Sequence, residues 1–164
     1  AGYFSFAFRA RRQWLRSAPH GPSLERMRQL DEDYRLGAEA LRDQYHLRNV
    51  QVAEEAGYRL DEGRWALNRN MWADALRYSK AASKLIPGWP PPHNNISTAL
   101  FYMGRYDEAI AEAETVLREC DPDNIHALAN LVRYHTLTGN ADRVNEYGDR
   151  LAALPLASGL DDVL

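Results

Sequence analysis

The stretch Met103-Gly104-Arg105-Tyr106-Asp107-Glu108-Ala109-Ile110, continued by Ala111 to Glu119 and closed by Asp121-Pro122, decides the fold. It predicts a tight turn at Gly104 that starts a helix, with the small Ala109 on the face that packs closely. A related phrase stands 34 residues earlier, Asn70-Met71-Trp72-Ala73-Asp74-Ala75-Leu76. Another stands 35 residues later, Gly139-Asn140-Ala141-Asp142-Arg143-Val144. A period in this range is the signature of a helical solenoid, whose units bury their faces only against their neighbours.

Outward from that stretch the chain predicts helix pairs, 56–69 with 71–86, 93–103 with 106–120, and 125–138 with 141–154. Pro87-Gly88-Trp89-Pro90-Pro91-Pro92 stops the first pair, as a rigid connector whose prolines also open the next helix. Asp121-Pro122-Asp123-Asn124 stops the second, with Asp123 or Asn124 capping the helix after it, and Leu154-Pro155 closes the third. Upstream, Ser23 is placed to cap a helix with Leu24, Met27, Leu30, Tyr34, Ala38, Leu41 and Tyr45 on one stripe. It runs to about 46–49, and Val50 to Gly57 either continues it or bends into the next helix. No strand pattern survives in the paired region, so the fold class is all-α. The expected division is 1–22, a basic and aromatic segment with a Pro/Gly loop; 23–55, helix packing on the first pair; 56–89, 90–124 and 125–155, three units; and 156–164, the start of a further helix of a longer protein.

The 164 residues, 45% hydrophobic, suffice for one core, and no run approaches the ~20 apolar residues of a membrane span. The net charge of −3 is unevenly spread. Residues 1–30 hold six arginines (9, 11, 12, 16, 26, 28) against Glu25, which leaves the remainder acidic. This basic, aromatic start suits contact with nucleic acid or burial of Phe4, Phe8 and Trp14 against a preceding part of a longer protein. The second is the expectation, because the rest of the chain is acidic and holds only two Lys. Cys120 stands alone, which rules out an internal disulfide and fits a reducing, cytoplasmic setting. No signal-peptide pattern is present.

The units resemble the tetratricopeptide repeat. The small residue of the first helix is Gly63, then Ser97, with Val132 in the third unit. The small residue early in the second helix is Ala75, then Ala109, with Val144 in the third, and the later one is Ala82, then Val116 and Leu151. The closing prolines are Pro87, Pro122 and Pro155, and the turn residues are Asn70, Gly104 and Gly139. Helices that approach closely need a small side chain at the crossing. The third unit departs from this twice and is expected to splay, end the array or cross at a shifted point. The resemblance covers about 100 of the 164 residues. It implies a right-handed superhelical solenoid of antiparallel helix pairs, about three repeats plus an N-terminal helical extension.

The resemblance also implies a concave groove lined by the first helix of each unit. Its spacing nominates Leu60, Asp61, Arg64 and Asn68 from the first unit, Asn94, Asn95, Thr98, Phe101 and Tyr102 from the second, and His126, Asn130, Arg133 and Thr136 from the third. Carboxamides both donate and accept, so Asn95 and Asn130 suit a peptide backbone, while Arg64 and Arg133 suit a carboxylate. The clamp by which some of these repeats hold chaperone tails would fall on Leu60, Arg64, Asn95, His126 and Asn130, where only Asn95 agrees. Catalytic, cofactor and metal constellations are not expected: the five histidines show no helical pairing, and Cys120 has no second Cys and reads as a buried filler. The expected function is a non-catalytic module binding a protein or peptide partner, with self-association open. The alternative is a structural or regulatory arm of a larger protein whose active or DNA-binding domain lies elsewhere.

Overall fold

A computed structural model of the chain describes residues 24–155. The expectations for residues 1–23 and 156–164 lie outside the described residues. The elements are α1 (Leu24–Gln44), α2 (Val50–Leu67), α3 (Trp72–Leu85), α4 (Pro90–Tyr102), α5 (Tyr106–Thr115) with a π-helical turn (Val116–Cys120), α6 (Ile125–Thr138) and α7 (Ala141–Ala153). No strand occurs among the described residues, and the fold is all-α.

Four helix ends share one device. Asn70, Gly104 and Gly139 have φ of 59°, 77° and 78°. The residue after each donates its N–H to the carbonyl five positions back: Met71 to Ala66 (3.0 Å), Arg105 to Leu100 (3.0 Å) and Asn140 to His135 (2.9 Å). A left-handed residue here reverses the chain and satisfies a carbonyl left over at the helix end. The fourth instance is His46, at φ 50°, followed by Leu47 N–H donating to Arg42 O (2.9 Å). The chain thus breaks after α1 at His46, and Asn49 restarts it, its side chain accepting from Val52 N–H at 3.1 Å. The helix expected to begin at Ala56 begins at Val50.

The connector after α3 behaves as its prolines require. Pro90, Pro91 and Pro92 are the first residues of α4, where a missing N–H leaves no helical bond unmade. Past Thr115 the helix widens to a π turn, in which Asp121 N–H donates to Val116 O at 2.9 Å.

Each helix packs on the next, and the backbone of α4 also approaches those of α2 and α6. The backbones of α3, α5 and α7 stand farther apart and meet through side chains, as where Tyr147 Oη donates to Glu114 Oε1 at 2.9 Å. The core is correspondingly three adjoining clusters. The first joins Ala38 and Leu41 to Ala56, Leu60, Ile86 and Trp89; the second holds Ala75, Leu100, Phe101, Ala109 and Tyr134; the third holds Ala113, Val116, Leu128, Leu131 and Tyr147.

Small residues set the first two crossings. Gly63 lies flat on α3 beside Ser79, and Ser97 Oγ donates to Ala109 O at 2.8 Å across α4 and α5. The third crossing, with Val132 half-buried, leaves Tyr147 as the one buried side chain of α7. Its ring stacks on His135 at 5.8 Å, and burial, then the bond to Glu114, pushes the phenol up to about 12.

Candidate functional site

A cleft of about 810 Å³ opens along the α2, α4 and α6 side. Helical spacing brings Arg64 from α2, Asn94, Asn95 and Thr98 from α4, and His126 and Asn130 from α6 onto its wall. The remaining wall comes from Gln44 and Tyr45 at the end of α1, the connector Trp89-Pro90-Pro91, and Cys120 to Pro122 with Asn124 before α6. No repeat spacing nominates those residues, since three separate loops converge there only through packing.

Hydrogen bonds fix the orientations of the Asn124 and Asn94 carboxamides. Asn124 caps α6, its Oδ1 accepting from Ala127 N–H at 3.0 Å and its Nδ2 donating to Asp121 Oδ2 at 3.1 Å. Asn124 Oδ1 is therefore an acceptor, and Asn94 Nδ2 donates to it at 3.0 Å. Asn94 Oδ1 is left buried without a partner, as is Asn95 Nδ2 on the neighbouring residue. An unmatched buried polar group costs about 1–3 kcal/mol. Thr98 Oγ1 donates to Asn94 O at 2.9 Å, and Asn130 Nδ2 reaches toward Thr98 Oγ1 at 3.5 Å.

Seven nominated residues lie elsewhere. Asn68 is the exposed C-cap of α2. Tyr102 is stacked on Trp72 at 4.5 Å. Arg133 lies over the rings of Tyr134, Phe101 and Tyr102, with its Cζ 5.2, 5.3 and 5.7 Å from their centroids. Its guanidinium is held by aromatic faces and does not stand free on the cleft wall. Leu60 and Phe101, also nominated for the groove, are buried in the core, and Asp61 is buried too. Thr136 is exposed and donates to Val132 O at 2.7 Å. Cys120 is half-buried, packs against the third core cluster and also lines the cleft. Burial and then the nearby Glu119, Glu112 and Asp121 push its thiol up, so it stays protonated at neutral pH.

No family model, curated protein or solved structure matches the chain. Among the described residues no group of three His, Cys, Asp or Glu side chains is placed to hold a metal ion, and no helix is long and apolar enough to cross a membrane.

The apolar wall of the cleft is braced by His93. Its Nδ1 lies 2.7 Å from Glu112 Oε1 and its Nε2 lies 2.7 Å from Pro87 O. Both partners only accept, so both bonds form together only when the ring is doubly protonated. The bond to Glu112 accordingly raises the imidazole above its ordinary value, burial opposing and the Pro87 carbonyl assisting. A raised histidine contributes stability that is fully present below its unfolded value and is lost as pH rises through the folded one. The wild-type thermal midpoint is expected to fall as pH rises above about 6.5, with a weaker fall in His93→Gln. Parallel melting curves for the two proteins across that window would overturn this assignment.

Proposed function

We propose that the chain is a non-catalytic interaction module, a solenoid of tetratricopeptide-like helix pairs that holds an extended peptide or partner segment along α2, α4 and α6. The reading is supported by the closer approach of the backbones of α2, α4 and α6 than of α3, α5 and α7. The observation that carries the function is the unmatched pair in the cleft wall, Asn94 Oδ1 and Asn95 Nδ2. A peptide group offers one acceptor and one donor, whatever its side chain. Trp89, Pro90 and Pro91 supply apolar surface beside it.

The test is an array of random nonapeptides probed with the wild-type protein, followed by solution affinities for the peptides retained. Asn95→Ala is expected to weaken binding about five- to tenfold, the worth of one or two hydrogen bonds in a partly dry site. Asn68→Ala, outside the cleft, is expected to leave it unchanged. Equal losses in the two variants would move the site off this face.

A further inference from the structure

Repeat spacing nominates Arg133 as a ligand for a carboxylate, and its surroundings give it a different task. The guanidinium sits against three aromatic rings, and its Nε is buried without a hydrogen-bond partner. Its Nη2 donates to Asn130 Oδ1 at 3.1 Å. Guanidinium has only donors, so the atom of Asn130 that faces it must be the oxygen. The nitrogen of Asn130 then points the other way, toward Thr98, which lines the cleft as Arg133 does not. Thr98 has already given its hydroxyl proton to Asn94 O, so it can only accept from Asn130. One hydrogen of the Asn130 Nδ2 group meets Thr98 at long range and the other has no partner among the described residues.

We infer that Arg133 is a positioning residue that holds Asn130 with its carboxamide nitrogen toward the cleft, making that point of the site a donor that selects an acceptor oxygen of the bound segment. The three rings crowd the guanidinium and limit where it can move. A carboxamide without such a neighbour can turn over and present either end. Arg133 therefore removes an ambiguity from the site at Asn130. Asn124 removes the same ambiguity at Asn94, in the opposite sense, by leaving an acceptor there. The site thereby reads the direction of the segment it holds. The acceptor oxygen is a peptide carbonyl or a terminal carboxylate. This inference rests on the peptide-binding reading for its consequence, and on hydrogen bonds within the free protein for its cause.

The experiment has two parts, both on the full chain. In the free protein, the side-chain NH2 order parameter of Asn130 is compared with that of exposed Asn68 by ¹⁵N relaxation. Asn130 is expected to be rigid in wild type and Arg133→Lys, and as mobile as Asn68 in Arg133→Met, which keeps the length and apolar packing of the side chain. In binding, nonapeptides retained from the array are tested as free acids and as C-terminal amides. Asn130→Asp keeps the bond from Arg133 but removes the donor, and it and Arg133→Met are each expected to weaken binding about fivefold, without adding in the double variant. A loss confined to free acids identifies a terminal carboxylate, and a loss in both forms identifies a chain carbonyl. An Asn130 amide that is mobile in wild type, or equally rigid in Arg133→Met, overturns the inference. So does full binding by Asn130→Asp. A protein that retains no peptide refutes the function proposed above, while the order parameters still decide what Arg133 does.

Discussion

Replacing Tyr134 by alanine is expected to remove about 3–5 kcal/mol of stability, much of what a domain of this size has. Tyr134 is fully buried and stacks on Phe101 with centroids 4.3 Å apart and planes 12° from parallel. Its ring joins α6 to α4, two helices whose packing otherwise depends on smaller side chains. The hydroxyl adds a second link, 3.2 Å from Ser97 Oγ. Ser97 has one proton, placed on Ala109 O at 2.8 Å, so the proton in the second bond comes from the tyrosine. Alanine would empty the ring's volume, unstack Phe101, and take one of three aromatic faces from Arg133. Tyr134→Phe keeps all of these and loses only the hydroxyl bond, at a cost of about 1 kcal/mol. Urea unfolding with hydrogen exchange distinguishes the outcomes. Protection in the alanine variant should fall first in α6 and α7, because units that touch only their neighbours can open from the end. Equal losses in the two variants would mean that the hydroxyl, and not the ring, joins the helices.

How far the sequence carries this picture depends on whether a feature is local. Asn70, Gly104 and Gly139 announce their turns because few residues accept a positive φ, and all three adopt it. His46 adopts it as well without a residue type that marks it. The end of α1 is therefore legible only to within a few residues, and the sequence leaves open whether Val50 continues that helix or opens the next. Helical spacing anticipates that Arg64, Asn94, Asn95, Thr98, His126 and Asn130 share one cleft. The same spacing misplaces Leu60 and Phe101, since an adjoining stripe of the helix belongs to the core and periodicity alone does not say which edge is wet. The fate of Arg133 depends on rings from two helices, and the wall at Tyr45, Trp89 and Cys120 on three loops. Those are tertiary facts, with no local pattern to read. The prolines are the converse case: their run locally announces a helix start, and Pro90 to Pro92 begin α4.

The crossing of α2 and α3 gives the second large effect. A Cβ built on Gly63 would lie 2.5 Å from Ser79 Oγ and 3.5 Å from both Ala75 O and Ser79 N. Behind one movable hydroxyl therefore stands the backbone of α3, which cannot yield without shifting the helix. Gly63→Val places two further methyl groups on a stiff χ1 against that backbone, and should destabilise the protein by about 3 kcal/mol or more, at the upper end for overpacking. Gly63→Ala is more finely balanced. Alanine in a helix interior gains about 1 kcal/mol over glycine, but here its methyl collides with Ser79 Oγ. That oxygen is buried without a partner, so Ser79→Ala alone is expected to leave stability unchanged or raise it by about 1 kcal/mol. With the hydroxyl gone, Gly63→Ala meets only ordinary contacts and its helical preference is realised. The four proteins of the Gly63→Ala, Ser79→Ala cycle should then be non-additive in urea unfolding, the double variant being more stable than the sum of its parts. Additive effects would show that the hydroxyl is not the obstacle. A Gly63→Val protein as stable as wild type would show that α2 and α3 separate freely, and that the glycine does not set their approach.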